Sequence, residues 1–254
     1  MLLNLNSFIA DSYNSNSQKM RVLTEQWVDE NIFCPNCGSK IINYENNRPV
    51  ADFYCTSCNE DYELKSKNGK TLGKTIADGA YSTMINRITS DTNPNFFFLN
   101  YDKYSYDVIN FVAVPSYLFV PNMIIARKNG IPNRPNYIMC NIDISSIPNS
   151  GKIFYIQDKQ LQSKEHILES WNKTKFLKES MNIDAKGWLL DIINCIDKTK
   201  KTDFTLQDIY QFENFLKIKH PDNNNIQAKI RQQLQILRDK NFLKFTERGK
   251  YELV

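Results

Sequence analysis

Two pairs of cysteines constrain the fold of this chain more than any other feature. Cys34-Pro35-Asn36-Cys37 and Cys55-Thr56-Ser57-Cys58 are C-x-x-C knuckles with 17 residues between them. Two residues between thiolates let both sulfurs of a knuckle face one ion, and two knuckles complete a tetrahedral site with no position left for substrate. The expected ion is a structural Zn²⁺, held by Cys34, Cys37, Cys55 and Cys58. A disulfide framework is the alternative. Met1 to Ala10 lacks the charged start and cleavage site of a secretory signal, which predicts a cytoplasmic chain whose reduced thiols favour metal. Cys140 and Cys195 stand singly in apolar runs and are expected in the core.

The stretch around the second knuckle carries another chemistry. Asp52 lies three residues before Cys55, and Glu63-Leu64-Lys65 follows Cys58 closely. Val50-Ala51-Asp52-Phe53-Tyr54 and Tyr62-Glu63-Leu64-Lys65 read as two strands joined by the knuckle, an antiparallel hairpin that the metal would staple. Side chains alternate along a strand, so Glu63 and Lys65 project from one face while Leu64 points to the core. With Asp52 across the hairpin on that face, two carboxylates can share one Mg²⁺, which takes few protein ligands and keeps several waters. The Lys65 ammonium would then orient the attacking water and stabilise developing negative charge. Asp, Glu and Lys on an exposed strand are usually a solvated face. The element order, a helix before the strand pair and another after it, favours catalysis.

Elsewhere the pattern predicts an α/β order. Ser15-Asn16-Ser17 caps a helix over about residues 17–30, with Met20, Leu23, Trp27 and Val28 on one face. The four-residue spacing of Ile76, Ala80, Met84 and Ile88 predicts a helix over 76–88. Asn95 to Leu99 and Val108 to Val114 read as buried strands. Prolines and asparagines dominate from Pro121 to Asn149. A strand over Lys152 to Ile156 and a helix over Lys164 to Asn172 complete a first domain ending near residue 180. At 254 residues and 41% apolar composition, the chain is long enough for one large core and a second small one. No run approaches the length of a membrane span.

The C-terminal third reads as a winged helix, three helices and a hairpin. A first helix starts around Gly187, and Thr205 with Asp208 three residues on opens a second. A third carries the apolar stripe Ile226, Ile230, Leu234 and Leu237. Phe242 to Phe245 and Lys250 to Leu253 alternate as a β-hairpin. The third helix would lie in the major groove with residues near its start on base edges. The candidates are Asn224, Asn225, Gln227 and Arg231, with Lys229 and Gln232 on the same polar surface. Asn and Gln suit adenine, Arg suits guanine. From Lys229 to Lys250 seven basic residues stand against two acidic ones, an excess that fits phosphate contact. The whole chain has a formal charge of only +4, which fits a locally basic face. A dimerising helical domain with a solvated polar face is the blander alternative.

Pro49, Asp52 and Glu63-Leu64-Lys65 together resemble the PD-(D/E)xK motif of restriction enzymes and related nucleases, with Val50 and Ala51 inserted where the motif has proline and aspartate adjacent. More broadly, the chain resembles the DpnI-like methyl-directed restriction endonucleases. Asn46-Asn47-Arg48-Pro49-Val50-Ala51-Asp52-Phe53-Tyr54-Cys55, Asn93-Pro94-Asn95-Phe96-Phe97-Phe98-Leu99 and Ile230 to Lys240 carry the likeness. The resemblance implies an α/β PD-(D/E)xK restriction-endonuclease-like core over 1–180 with an inserted zinc ribbon at 34–58, and a winged-helix DNA-binding domain over 181–254. It implies that Asp52, Glu63 and Lys65 are catalytic, that the Leu64 backbone carbonyl joins Asp52 and Glu63 on Mg²⁺, and that double-stranded DNA is cut at GATC sites carrying N6-methyladenine. Both domains would read that site. An N6-methyl group adds apolar surface to the major groove, so its pocket needs an aromatic or aliphatic wall, and the resemblance points to Tyr137 for that role.

Two functions of different class follow: an Mg²⁺-dependent, methyl-directed endonuclease acting in a bacterial cytoplasm, and a non-catalytic regulator in which zinc ribbon and winged helix bind DNA. Asp52, Glu63 and Lys65 favour the nuclease, because a regulator has no need to gather them on one face. No apolar stripe remains for a dimer face once both cores are filled, so a monomer is expected.

Overall fold

The computed structural model of the chain describes residues 1–10, 13–45, 51–90, 92–178 and 183–254. These form two compact units, Met1–Ser145 with Gly151–Thr174, and Ser146–Ser150 with Lys175–Val254.

In the first unit, α1 (Asn16–Asn31) places Leu23, Trp27 and Val28 in the core, as the helical spacing requires. Three strands follow, β1 (Ile41–Asn43), β2 (Phe53–Cys55) and β3 (Asp61–Asn68). Strand β4 (Thr75–Ala80) and helix α2 (Tyr81–Ile88) lead to β5 (Asn95–Tyr101), which pairs parallel to β3. A parallel pair needs such a crossover, since a tight turn can only reverse the chain. Strands β6 (Val108–Val114), β7 (Ile124–Ala126), β8 (Met139–Asp143), β9 (Ile153–Gln157) and β10 (Gln160–Leu161) precede α3 (Lys164–Thr174). The main sheet runs β1-β2-β3-β5-β6-β9-β10, and β4-β8-β7 form a separate sheet of three.

All seven positions of β5 are buried, the pattern of a central strand covered on both faces. Phe97 and Leu99 join Trp27, Phe111, Tyr155 and Trp171 in one core, and Tyr62 stacks on Phe97 with centroids 4.5 Å apart. Phe96 and Phe98, on the opposite face, pack against Phe119.

The helix expected over 76–88 is half strand. Thr75 to Asp78 alternate exposed and buried, pair with β8, and only Tyr81 onward is helical. A four-residue spacing is a multiple of the strand period and close to the helical one, so Ile76 and Ala80 satisfied both. Residues 121–149, where prolines and asparagines dominate, contain β7 and β8. These strands have three and five residues, and β8 pairs with β4, far earlier in the chain, as well as with β7.

The second unit opens with α4 (Ile183–Thr199), in which every residue from Gly187 to Ile196 is buried, Cys195 included. Strand β11 (Asp203–Thr205) leads into α5 (Leu206–Tyr210), whose Thr205 and Asp208 form a reciprocal capping box. Helices α6 (Glu213–Lys219) and α7 (Ile226–Asp239) follow, then β12 (Leu243–Glu247) and β13 (Lys250–Leu253). The expected stripe Ile226, Ile230, Leu234 and Leu237 is the buried face of α7. The unit differs from the expected three helices and a hairpin in having a fourth helix, α6, and a third strand, β11, paired with β13.

Candidate active site and metal centre

The four knuckle cysteines converge, with their sulfurs all within 4.8 Å of one another. Cys34 and Cys58 Sγ are 3.5 Å apart, and Cys37 and Cys55 Sγ 3.4 Å. A tetrahedral zinc with Zn–S of about 2.3 Å needs sulfurs about 3.8 Å apart, so the thiols fit that ion. The two knuckles close in the same way. Gly38 N–H donates to the Cys34 carbonyl and Asn59 N–H to that of Cys55, at 2.8 and 3.1 Å. Gly38 and Asn59 both take the left-handed conformation, with φ of 77° and 56°, which glycine and asparagine tolerate best. Cys34 Sγ also lies 3.0 Å from the Tyr62 hydroxyl, tying the metal centre to β3.

Cys55 ends β2, so the same centre fixes the β2–β3 hairpin. Asp52 immediately precedes β2, with its N–H bonded to the Tyr62 carbonyl, and its Oδ2 accepts the Leu64 N–H at 2.7 Å. Glu63 and Lys65 share one face of β3, and Lys65 Nζ is 2.6 Å from Glu63 Oε1. Asp52, Glu63, Leu64 and Lys65 line a cleft of about 460 Å³, faced by Arg21, Thr24 and Glu25 of α1. Pro49 lies outside the described residues.

The cleft concentrates negative charge. Burial raises the Asp52 carboxyl above its ordinary value, and Glu63 and Glu25 add to the rise, against the opposing Leu64 N–H and Lys65. Burial pulls the Lys65 ammonium towards neutrality, but Glu63 and Asp78 outweigh it and hold the group above its usual value. Carboxylates that disfavour one another's charge form a donor set suited to a divalent cation. Each Glu63 oxygen accepts from one cation, Oε1 from Lys65 and Oε2 from Arg87 of α2. A carboxylate offers about four lone-pair sites, so both oxygens retain room for a metal.

Four participants escaped the sequence reading: Arg21, Glu25, Asp78 and Arg87. Arg21 and Glu25 pair at 2.6 Å one turn apart on α1, a spacing visible in the sequence but not its direction towards Asp52. Asp78 and Arg87 belong to the crossover between β3 and β5, and no local signal assigns them to the site.

Tyr137, between β7 and β8, is 37% exposed, and its hydroxyl lies 3.5 Å from where a Cβ on Gly79 would stand. In the second unit Asn224, Asn225, Gln227, Arg231 and Gln232 are exposed at the start of α7. Gln227 bonds Glu213 at 2.8 Å and Arg231 the Tyr210 hydroxyl at 2.5 Å. Lys229 lies over the Trp188 ring.

One unit gathers two carboxylates and a lysine beside a mixed sheet, and the other presents an exposed polar helix start and a three-stranded sheet. Residues 1–180 match the DpnI family model, described as the Dam-replacing family, and residues 184–253 match the Dam-replacing HTH domain. The chain belongs to this family. It is accordingly a nuclease of the restriction-endonuclease type with a C-terminal winged helix-turn-helix domain and DNA as its partner. Among the described residues no helix is long and apolar enough to cross a membrane.

Proposed function

We propose that this chain is an Mg²⁺-dependent type II restriction endonuclease that hydrolyses double-stranded DNA at GATC sites containing N6-methyladenine. The observation that carries the reading is the convergence of Asp52, Glu63 and Lys65 in one cleft, in the order and on the strand pair of the PD-(D/E)xK motif. Residues 1–180 form the catalytic domain and 181–254 the DNA-reading one. The chain works as a monomer in the bacterial cytoplasm, and a zinc ion on Cys34, Cys37, Cys55 and Cys58 is structural.

Asp52, Glu63 and the Leu64 carbonyl would hold the magnesium, which would supply Lewis acidity at the scissile phosphate. Lys65 orients the attacking water and offsets charge that develops on the phosphate oxygens, and the walls contributed by α1 limit solvent around it. Asp52 binds its cation in the deprotonated form, which its burial and acidic neighbours disfavour in the metal-free protein. Helix α7 enters the major groove, with Asn224, Asn225, Gln227, Lys229, Arg231 and Gln232 on base edges and phosphates. Tyr137 walls the methyl pocket.

Digestion of one plasmid prepared with and without adenine methylation at GATC, in Mg²⁺ and in EDTA, tests the reading. Cleavage of methylated DNA alone, dependent on metal and lost in Lys65→Ala, is the expected result. Cutting of both plasmids would remove the methyl specificity, and tight binding without cutting would leave a DNA-binding regulator.

A further inference from the structure

We propose that Asp78 is a positioning residue for strand cleavage, holding the Lys65 ammonium over the cleft by a contact that does not involve the metal. The inference rests on the nuclease reading above and adds a residue to it. Lys65 Nζ is bracketed by two carboxylates, Glu63 Oε1 at 2.6 Å and Asp78 Oδ1 at 2.5 Å. Their positions differ in kind. Glu63 already accepts from Arg87 and is the residue a divalent ion would draw on. Asp78 is not among the residues that line the cleft, yet it contacts Lys65 Nζ.

Three features of Asp78 point the same way. Its side chain is only 8% exposed, and its Oδ2 is buried with no hydrogen-bond partner among the described residues. A buried carboxylate is costly to a fold unless it is paired, and Lys65 is the cation that pairs this one. Oδ1, by contrast, is doubly engaged, taking the Gly79 N–H at 2.7 Å as well as Lys65. The register of β4 against β8 shifts between Asp78 and Ala80, the irregularity with which strands re-aim a side chain beside an active site. A lysine stem has four rotatable carbons, and one charged contact leaves its ammonium free to swing. Two contacts fix it, and the one to Asp78 does not depend on Glu63.

Gly79 connects this device to the candidate reader of the methyl group. A Cβ on Gly79 would stand 3.5 Å from the Tyr137 hydroxyl, and the Gly79 N–H donates to the Asp78 oxygen that also accepts from Lys65.

The test is steady-state cleavage of methylated plasmid by the full-length zinc-loaded chain. Asp78→Asn is expected to lower kcat roughly 10- to 100-fold, the size of effect seen when a supporting contact lets a reacting group drift, with KM and the Mg²⁺ concentration for half-maximal rate unchanged. Asp78→Glu, which keeps the charge, should recover part of the loss. In a Lys65→Ala background Asp78→Asn should cost nothing further, because its effect runs through the lysine. An unchanged kcat, or a change confined to KM, overturns the proposal. A second readout needs no Asp78 variant: the side-chain ¹⁵N signal of the Lys65 ammonium in the wild-type protein, assigned with Lys65→Arg. The signal should persist when Ca²⁺ fills the site, and its loss on Ca²⁺ loading would show that Glu63 alone held the ammonium. If the wild-type chain fails to cut methylated DNA, the nuclease reading fails. If it cuts and Asp78→Asn cuts as well, only this inference does.

Discussion

Lys65 has a side chain 19% exposed and lies within hydrogen-bond reach of two acids. Its removal should therefore disturb charge as well as chemistry. Lys65→Ala leaves Glu63 and Asp78 facing each other without their shared cation, and the cleavage rate on methylated DNA should fall by at least about 10³-fold. DNA affinity, measured in Ca²⁺ by fluorescence anisotropy, should stay within a few-fold. A comparable loss of affinity would move Lys65 from chemistry to binding. Tyr137 makes a different prediction. Tyr137→Ala should lower the ratio of cleavage on methylated over unmethylated sites without abolishing cleavage, and an unchanged ratio would remove it from the methyl pocket. At this scale the sequence was legible where residue types carry their own chemistry. Type and spacing pointed to the convergence of the four knuckle cysteines and to Asp52, Glu63 and Lys65 sharing one cleft. Asp78 and Arg87 were not, since an isolated acid or arginine carries no mark of what the crossover brings beside it.

Elements carry two predictions of their own. The β2–β3 hairpin is held at one end by Cys55 and Cys58, and the residues of the cleft lie on either side of that staple. Removal of zinc by a chelator, or Cys55→Ser, should lower Tm by at least about 5 °C and cleavage in parallel. Full activity in zinc-free protein, checked by metal analysis, would show that the hairpin holds itself. The capping box at the start of α5 gives a pH dependence. The Lys201 ammonium and the Thr205 N–H and hydroxyl hold the Asp208 carboxyl down at about 2, against an ordinary 3.8. A carboxyl lowered in the folded state stabilises above its unfolded value, and that contribution disappears as pH falls through the folded one. The stability difference between wild type and Asp208→Asn, followed by thermal unfolding, should be constant above about pH 5 and shrink as pH falls towards 2. A difference independent of pH would mean that the box acts through shape alone. Helix α1 and the stripe of α7 followed from periodicity because their apolar positions have no second interpretation. Strand β4 did not, because its spacing satisfied two periods and only the pairing with β8 chose between them.

For the whole molecule, the two units divide the work that the proposed function requires, one holding the acids proposed to bind magnesium and the other a basic helix. The excess of basic residues from Lys229 to Lys250 makes DNA affinity strongly salt-dependent. Arg231→Ala should weaken binding by about 1–3 kcal/mol, measured at two salt concentrations, and unchanged affinity at both would take α7 off the DNA. The free protein should sediment as a single species of 29.7 kDa at all concentrations, whereas a doubled mass would require a dimer face.

The sequence alone determined the metal spacing, the identity of the acids and lysine, and the helices and strands whose periodicity is unambiguous. These are local properties, set by residue type and by separations of a few positions. Only the tertiary structure decided which distant charges share the cleft, that Lys65 is bracketed by Glu63 and Asp78, and that residues 75–80 are a strand. Each of these depends on the parallel pairing of β3 with β5 and the crossover it demands. Such a pairing is decided by the burial of a whole sheet, and no single stretch of residues contains it.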